Sequence, residues 1–276
     1  INHYTEASAL GIKARVLLTQ QKYAEAGDMA VRAIEAAKAM GRDIMKPDEL
    51  MNGFSDLSTK TKEPIYAALT QDDQTVYFYS FYAYMSWNFN SSSVRTGIKC
   101  INQETYDRMS PTDLRRQWWD PTGKAAVPAK SYNQRPYQNR KFTARATSNA
   151  VGDFTFMRMS ELYLIAAEAY ARAGQEAKAK EYFDALMVNR DTAYTTTTNT
   201  GAALIEEIMD SRRIELWGEG FRWFDLKRLN LPIHRGGSNY DIAFCGFLDK
   251  AQGERGWMFE IPKEETDFNP LMEKNY

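Results

Sequence analysis

Residues Ser211-Arg-Arg-Ile-Glu-Leu-Trp-Gly-Glu-Gly-Phe-Arg-Trp-Phe-Asp-Leu-Lys-Arg228 decide how this chain is read. Arg212, Glu215, Glu219, Arg222 and Asp225 follow one another three or four residues apart, the spacing that lines one stripe of a helix. Leu216, Trp217, Phe221 and Phe224 form an adjoining apolar stripe. Alternating signs at this spacing make ion pairs, so the charged stripe reads as a scaffold rather than a catalytic carboxylate pair. A buried network of this kind orients neighbouring helices and need not add net stability. Gly218 and Gly220 each cost about 1 kcal/mol against alanine in a helix interior. They predict a place where another backbone comes close.

Working outward, two further stretches carry the same dense mixture. Phe154-Thr-Phe-Met-Arg-Met-Ser-Glu-Leu-Tyr-Leu-Ile-Ala-Ala-Glu-Ala-Tyr-Ala-Arg-Ala-Gly174 reads as a helix. The tail holds Phe259-Glu-Ile-Pro-Lys-Glu-Glu-Thr-Asp-Phe-Asn-Pro270. Weaker matches are Glu63-Pro-Ile-Tyr66, Tyr106-Asp-Arg108 and Asp113-Leu-Arg-Arg116. Taken in order, these segments resemble the SusD/RagB family, whose signature helix runs roughly E-R-R-x-E-L-x-x-E-G-x-R-x-x-D-L-x-R.

The resemblance implies a surface lipoprotein of Bacteroidetes-type bacteria that binds glycan without catalysis. It implies a SusC-like TonB-dependent outer-membrane transporter as partner. Family members usually run longer, with a signal peptide and a lipid-bearing cysteine. The chain starts at Ile1, with no basic n-region, apolar h-region or nearby cysteine, so the expectation is a C-terminal portion whose lipid anchor lies outside it.

Composition narrows the classes independently. The 276 residues are enough to bury a sizeable core. Net charge is −1, so no global field recruits nucleic acid or anionic lipid. No apolar run approaches the roughly 18–20 residues of a membrane span. Cys100 and Cys245 sit in no metal spacing, though an oxidising compartment would permit a disulfide. Two histidines, His3 and His234, argue against a multi-histidine metal site. No EF-hand-type loop is present, although scattered Asp and Asn leave calcium open. No cofactor is expected.

Along the chain, residues 1–40 read as a helical hairpin with small residues at packing positions, similar to a tetratricopeptide repeat. Residues 154–229 repeat that pattern, with a turn at Gly174-Gln175 and one long helix expected over 203–229. Such units stack to bury faces that none can bury alone. Residues 41–153 lose helical periodicity and gather Gly, Pro, Ser, Asn and Thr, which predicts an irregular, loop-rich, aromatic insertion. Residues 230–276 form a Gly-rich connection and a closing segment. The predicted fold is mainly α: tetratricopeptide-like hairpins of SusD type around that insertion.

Aromatics carry the functional reading: six Trp, sixteen Tyr and fourteen Phe. Sugar rings stack their C–H faces on flat aromatic faces, and their hydroxyls need fixed polar partners. Tyr82, Tyr84, Trp87, Asn88 and Asn90 combine both types, as do Arg115, Gln117, Trp118, Trp119 and Asp120. Read with a period of two, Tyr77, Tyr79, Phe81, Met85, Trp87 and Phe89 share one apolar face. Tyr82 and Tyr84 fall on the other, more polar face and suit exposure; Trp87 is the less suited. Trp118 and Trp119 are adjacent, so in an extended segment one packs and one is presented.

Catalysis finds little support. Glu161 and Glu168 share a helix face about 10 Å apart by helix rise, within range of a glycosidase pair, but both belong to the family's structural helix. No phosphate loop, nucleophile signature or metal motif appears. The reading is therefore non-catalytic glycan capture at the outer-membrane surface. The alternative is a tetratricopeptide-type adaptor or peptide-binding nutrient receptor, for which a basic groove on the repeats would argue.

Overall fold

The computed structural model describes residues 1–51, 54–73, 79–89, 91–124, 135–146, 148–238 and 240–275. Tyr77 of the expected alternation and Asn90 of the aromatic belt lie outside the described residues.

The chain opens with helix α1 (Glu6–Thr19), started by a capping box: Ser8 N donates to Thr5 Oγ1 at 3.2 Å and Thr5 N donates to Ser8 Oγ at 2.8 Å. Helix α2 (Tyr23–Ala39) returns along it. Its buried ridge of Ala26, Ala30, Ala33 and Ala37 lets the helices approach closely. The insertion follows: strand β1 (Pro64–Ala68), one-turn helices α3 (Phe81–Met85), α4 (Ser92–Thr96) and α5 (Gln103–Asp107), a 3-10 helix (Leu114–Trp118), and strands β2 (Trp119–Asp120) and β3 (Gln138–Asn139). Strand β4 (Phe154–Arg158) pairs antiparallel with β1 and runs directly into α6 (Met159–Arg172).

Helix α6 is the centre of the molecule. Every residue from Met159 to Ala171 is buried, and its polar members Ser160, Glu161 and Glu168 meet Arg190, Arg15 and Arg228. It packs on α1, α2, α7 (Glu176–Met187) and α8 (Gly201–Glu215). The chain continues through α9 (Phe221–Arg228), strand β5 (Ile233–His234), α10 (Ile242–Cys245), strand β6 (Asp249–Lys250) and α11 (Lys263–Phe268). The fold is mainly helical, with three two-stranded antiparallel sheets among the described residues.

The single helix expected over 203–229 is instead two. Leu216 to Gly220 break it, with Gly218 at φ +78° and Gly220 at φ +91°, backbone that side-chain-bearing residues rarely adopt. The neighbour that Gly218 accommodates is a side chain rather than a backbone: a Cβ there would lie 2.6 Å from the Phe142 ring. The break also dissolves the single stripe. Glu215 and Glu219 turn inward, whereas Phe224 is 63% exposed.

Two apolar cores result. One joins α1, α2, α6, α7 and α8; the other gathers Leu50, Phe54, Tyr82, Trp118, Trp119, Phe142 and Ile214. An ionic seam links the repeats to the insertion. Arg158 reaches Glu63 and Glu215 at 2.9 Å each and Glu219 at 2.8 Å. Arg190 and Arg115 bind the other oxygen of Glu215 at 3.0 and 3.3 Å. Burial pushes Glu215 toward protonation, but Arg190, Arg158 and Arg115 outweigh it and hold the carboxyl well below its usual range. Lys141 Nζ donates to Glu215 O, Trp217 O and Glu219 Oε1 at 2.6–3.0 Å, and burial pulls its pKa down to about 8. A second chain runs from Arg212 through Asp225 and Arg228 to Glu168.

Candidate functional site

Among the predicted aromatics, exposed Tyr84 and half-buried Trp87 line a small surface hollow beside α3. Ser80 starts that helix by accepting from Ala83 N at 3.1 Å. One turn then sends Tyr82 and Ala83 inward and leaves Tyr84 44% exposed. Trp87 follows, half-buried, with its ring fixed by Nε1 donating to Thr143 Oγ1 at 2.9 Å. Tyr84 and Trp87 line the hollow over Met85, Val94 and Ile98, with Lys99, Gln138 and Asn139 as its polar members. Its free volume is about 10 Å³, room for about one water. That is too little to enclose a sugar ring. Asn139 supports the rim: Asn139 Nδ2 donates to Met85 O at 2.5 Å. Lys99 Nζ donates to Gly97 O at 2.7 Å. The Arg140 guanidinium lies 5.2 Å from the Trp87 ring centroid.

The remaining predicted residues have other placements. Tyr82 is buried, its hydroxyl donating to the carbonyls of Phe54 and Asp153. The period-two reading fails because α3 is helical: residues two apart on a helix face opposite ways, so Tyr82 and Tyr84 part company. Trp118 and Trp119 are both core residues, 0% and 2% exposed. The expected division between packing and presentation does not occur, because the chain passes from 3-10 helix to strand between them and both rings meet the second core. Trp118 Nε1 donates to Leu50 O at 2.9 Å. Asn88 is buried and clamps Ala144 through both its amide oxygen and nitrogen. Asp120 accepts from Thr122 N and Oγ1 at 2.9 and 2.7 Å and shapes a turn. Arg115 belongs to the seam.

Lys99, Gln138, Asn139 and Arg140 escaped the sequence reading. Their sequence trace is a charge pattern: residues 74–103 and 121–152 contain no Asp or Glu.

Elsewhere, a cleft of about 410 Å³ lies between α7, α8 and the 3-10 helix. Its margin carries Asp191, Glu206, Glu207 and Asp210, and Arg108 is paired with Asp210 at 2.6 Å. In it Phe183 is 1% exposed, and half-buried Tyr194 has its hydroxyl tied to Asp184 at 2.6 Å. It is not the basic groove that would suit peptide carboxylates. Glu161 is held by Arg15, and Glu168 by Arg228 and Arg172, so this spaced pair faces ion partners rather than a sugar cleft. Cys100 and Cys245 form no disulfide. Among the described residues, no helix is long and apolar enough to cross a membrane, and no group of three or more His, Cys, Asp or Glu is placed to hold a metal.

Comparison with known proteins bears on the whole chain. The profile of the SusD family matches residues 17–276. No curated protein matches the sequence. A SusD-like carbohydrate binding protein from Bacteroides vulgatus ATCC 8482 is similar in structure, with TM-score 0.69 and 25% identity over 84% of this chain and 47% of its own. A SusD superfamily protein from Bacteroides thetaiotaomicron VPI-5482 gives TM-score 0.82 at 20% identity, covering 100% of this chain and 61% of that one. Surface glycan-binding protein A from Bacteroides thetaiotaomicron gives 0.67 at 19%, covering 99% and 64%. The chain thus spans roughly half to two thirds of these relatives' length. With the Phe154–Gly174 and Ser211–Arg228 segments meeting in the ionic seam and the profile matching nearly end to end, the chain belongs to the SusD family.

Proposed function

We propose that this protein captures glycan at the cell surface without transforming it and delivers it to a SusC-like TonB-dependent outer-membrane transporter. The observation that carries the reading is exposed Tyr84 and half-buried Trp87 beside the Lys99 ammonium in a SusD-family chain. Aromatic faces with fixed polar neighbours are what a pyranose ring recognises. The similar protein from Bacteroides vulgatus is described as carbohydrate binding, which supports the same class of ligand here. Delivery requires release, so weak to moderate affinity suits the role. Attachment to the outer membrane by a lipid anchor belongs to the same reading. The hollow is shallow, and a polymer laid across it would draw on surface beyond Tyr84 and Trp87.

Affinity electrophoresis of the full-length protein through gels containing single polysaccharides tests this. The expected result is retardation by at least one glycan, reduced in Tyr84→Ala and Trp87→Ala proteins that remain folded. Retardation unchanged in both variants would remove this hollow from the site. Absence of glycan retention with clear peptide binding would replace glycan capture by the peptide-receptor reading.

A further inference from the structure

The charge distribution around the hollow goes further than the presence of aromatics. Overall the chain is nearly neutral, with 35 Lys and Arg against 36 Asp and Glu. The two segments that supply every lining residue depart from that balance. Residues 74–103 and 121–152 contain Arg95, Lys99, Lys124, Lys130, Arg135, Arg140, Lys141 and Arg145 and no carboxylate side chain; Lys141 and Arg145 find theirs outside these segments, on Glu219 and on Asp153 and Asp72.

Two of these cations stand at the aromatic pair. Lys99 lines the hollow and its ammonium donates to one carbonyl, leaving donor capacity. Arg140 lies over Trp87 and forms no ion pair among the described residues. Its Nε is buried without a hydrogen-bond acceptor. This sets it apart from the buried guanidiniums of Arg115, Arg158, Arg190 and Arg228, which all meet carboxylates. Across the β2–β3 pairing Asp120 lies opposite Gln138, and its Oδ1 accepts from Thr122 N and Oγ1.

A buried donor without an acceptor is costly, and its presence calls for an explanation in terms of a missing partner. A planar guanidinium suits a carboxylate or a tetrahedral oxyanion, and the neighbouring ammonium adds a mobile point charge. We infer that the Tyr84–Trp87 hollow selects an acidic saccharide, one whose pyranose ring stacks on the aromatics while a uronate carboxylate or sulfate ester meets Arg140 and Lys99. This rests on the glycan-binding reading and narrows it to an anionic class of ligand.

Matched polymers separate the two ideas. Binding of the full-length protein is measured for polygalacturonate against its methyl-esterified form and for dextran sulfate against dextran. Oligothymidylate serves as a polyanion without pyranose rings. Wild type is compared with Lys99→Gln, with Lys99→Gln/Arg140→Gln and with Tyr84→Ala, at low and high salt. The expected result is at least tenfold tighter binding of an acidic polymer than of its neutral partner, weakened by salt. The double variant removes that preference, Lys99→Gln alone reduces it, and Tyr84→Ala weakens binding of both partners. Preference confined to the first pair identifies a carboxylate, and to the second a sulfate ester.

Equal binding of acidic and neutral glycans by wild type, lost in Tyr84→Ala, overturns the acidic preference and leaves glycan capture standing. No retention of any glycan overturns both. Oligothymidylate bound as tightly as the acidic glycans overturns saccharide selection in favour of a general polyanion surface.

Discussion

The ionic seam and the aromatic surface use equally conspicuous residues and differ in how their placement is set. The seam residues Arg115, Arg158, Arg190 and Glu215 are at most 2% exposed. Each finds opposite charge from a different part of the chain. The aromatics are sorted instead by local backbone: Tyr82 is 2% exposed and Tyr84, two residues on, is 44% exposed. A buried charge must be paired wherever it lies, so its chemistry restricts its surroundings. An aromatic ring is acceptable in a core or on a surface, so its identity restricts little.

The strongest test of the seam is Glu215→Gln. It leaves Arg190 facing a neutral amide, while Arg158 keeps Glu63 and Glu219 and Arg115 keeps Asp113, and removing one partner of a buried ion network costs about 3–5 kcal/mol. Denaturant unfolding at neutral pH should show a loss of that size or an insoluble product. A cost below about 1 kcal/mol would mean that the seam is solvated in solution. The pH profile adds a sign. The folded-state pKa of Glu215 is depressed, so its contribution is present above the unfolded carboxylate range, near 4.3, and is lost as pH falls below it. Stability of the wild type should therefore drop more steeply with acid than that of the variant.

A smaller effect tests the helix break that turns Glu215 and Glu219 toward one seam. Gly218→Ala meets both a positive φ and the Phe142 ring at 2.6 Å, for an expected cost of about 2–3 kcal/mol. Gly174→Ala is the control: its φ is +74° but nothing lies within 4 Å, so about 1 kcal/mol is expected. Equal costs in thermal or denaturant unfolding would show that backbone strain, and not contact with the insertion, sets the price.

The same contrast explains what was legible in the sequence. The hairpins were, because Ala26, Ala30, Ala33 and Ala37 repeat at helical spacing and are buried in the structure. The scaffold role of Glu215 and Glu219 was legible from alternating charge. Their division between two helices was not, because Gly218 and Gly220 adopt a left-handed backbone, and Gly218 also faces the Phe142 ring, far away in sequence. In the insertion, short helices begin at Ser80, Ser91 and Asn102 caps, a cue weaker than the period-two run of aromatics that masked it. Trp118 and Trp119 look alike in sequence, and only the second core reveals both as packing residues. The cations at the hollow were visible as the acid-free segments, but which of them reach Trp87 depends on the pairing of β2 with β3.

Those two tryptophans supply a finer test. Trp118 Nε1 donates to Leu50 O, whereas Trp119 Nε1 is buried without a partner. Phenylalanine at either position removes the N–H and some volume, but only Trp118→Phe orphans a buried carbonyl. It should cost about 1 kcal/mol more than Trp119→Phe in denaturant unfolding. The reverse order would place Trp119's indole nitrogen in a contact of its own and return that residue to consideration as a presented group.

The smallest stability effect should accompany a clear functional one. Tyr84 projects from a one-turn helix, 44% exposed, with no hydroxyl partner shown among the described residues. Truncating such a side chain typically moves stability within about 0.5 kcal/mol. If the ring is a sugar platform, Tyr84→Ala should nevertheless weaken glycan binding about tenfold, since aromatic stacking contributes on the order of 1 kcal/mol or more. Unfolding and binding measured on the same preparation decide the matter. Unchanged stability with weakened binding marks a residue held at the surface for a ligand, the opposite of Glu215, whose loss should first damage the fold. Substantial destabilisation would instead make Tyr84 a continuation of the second core, joining Tyr82 two residues before it.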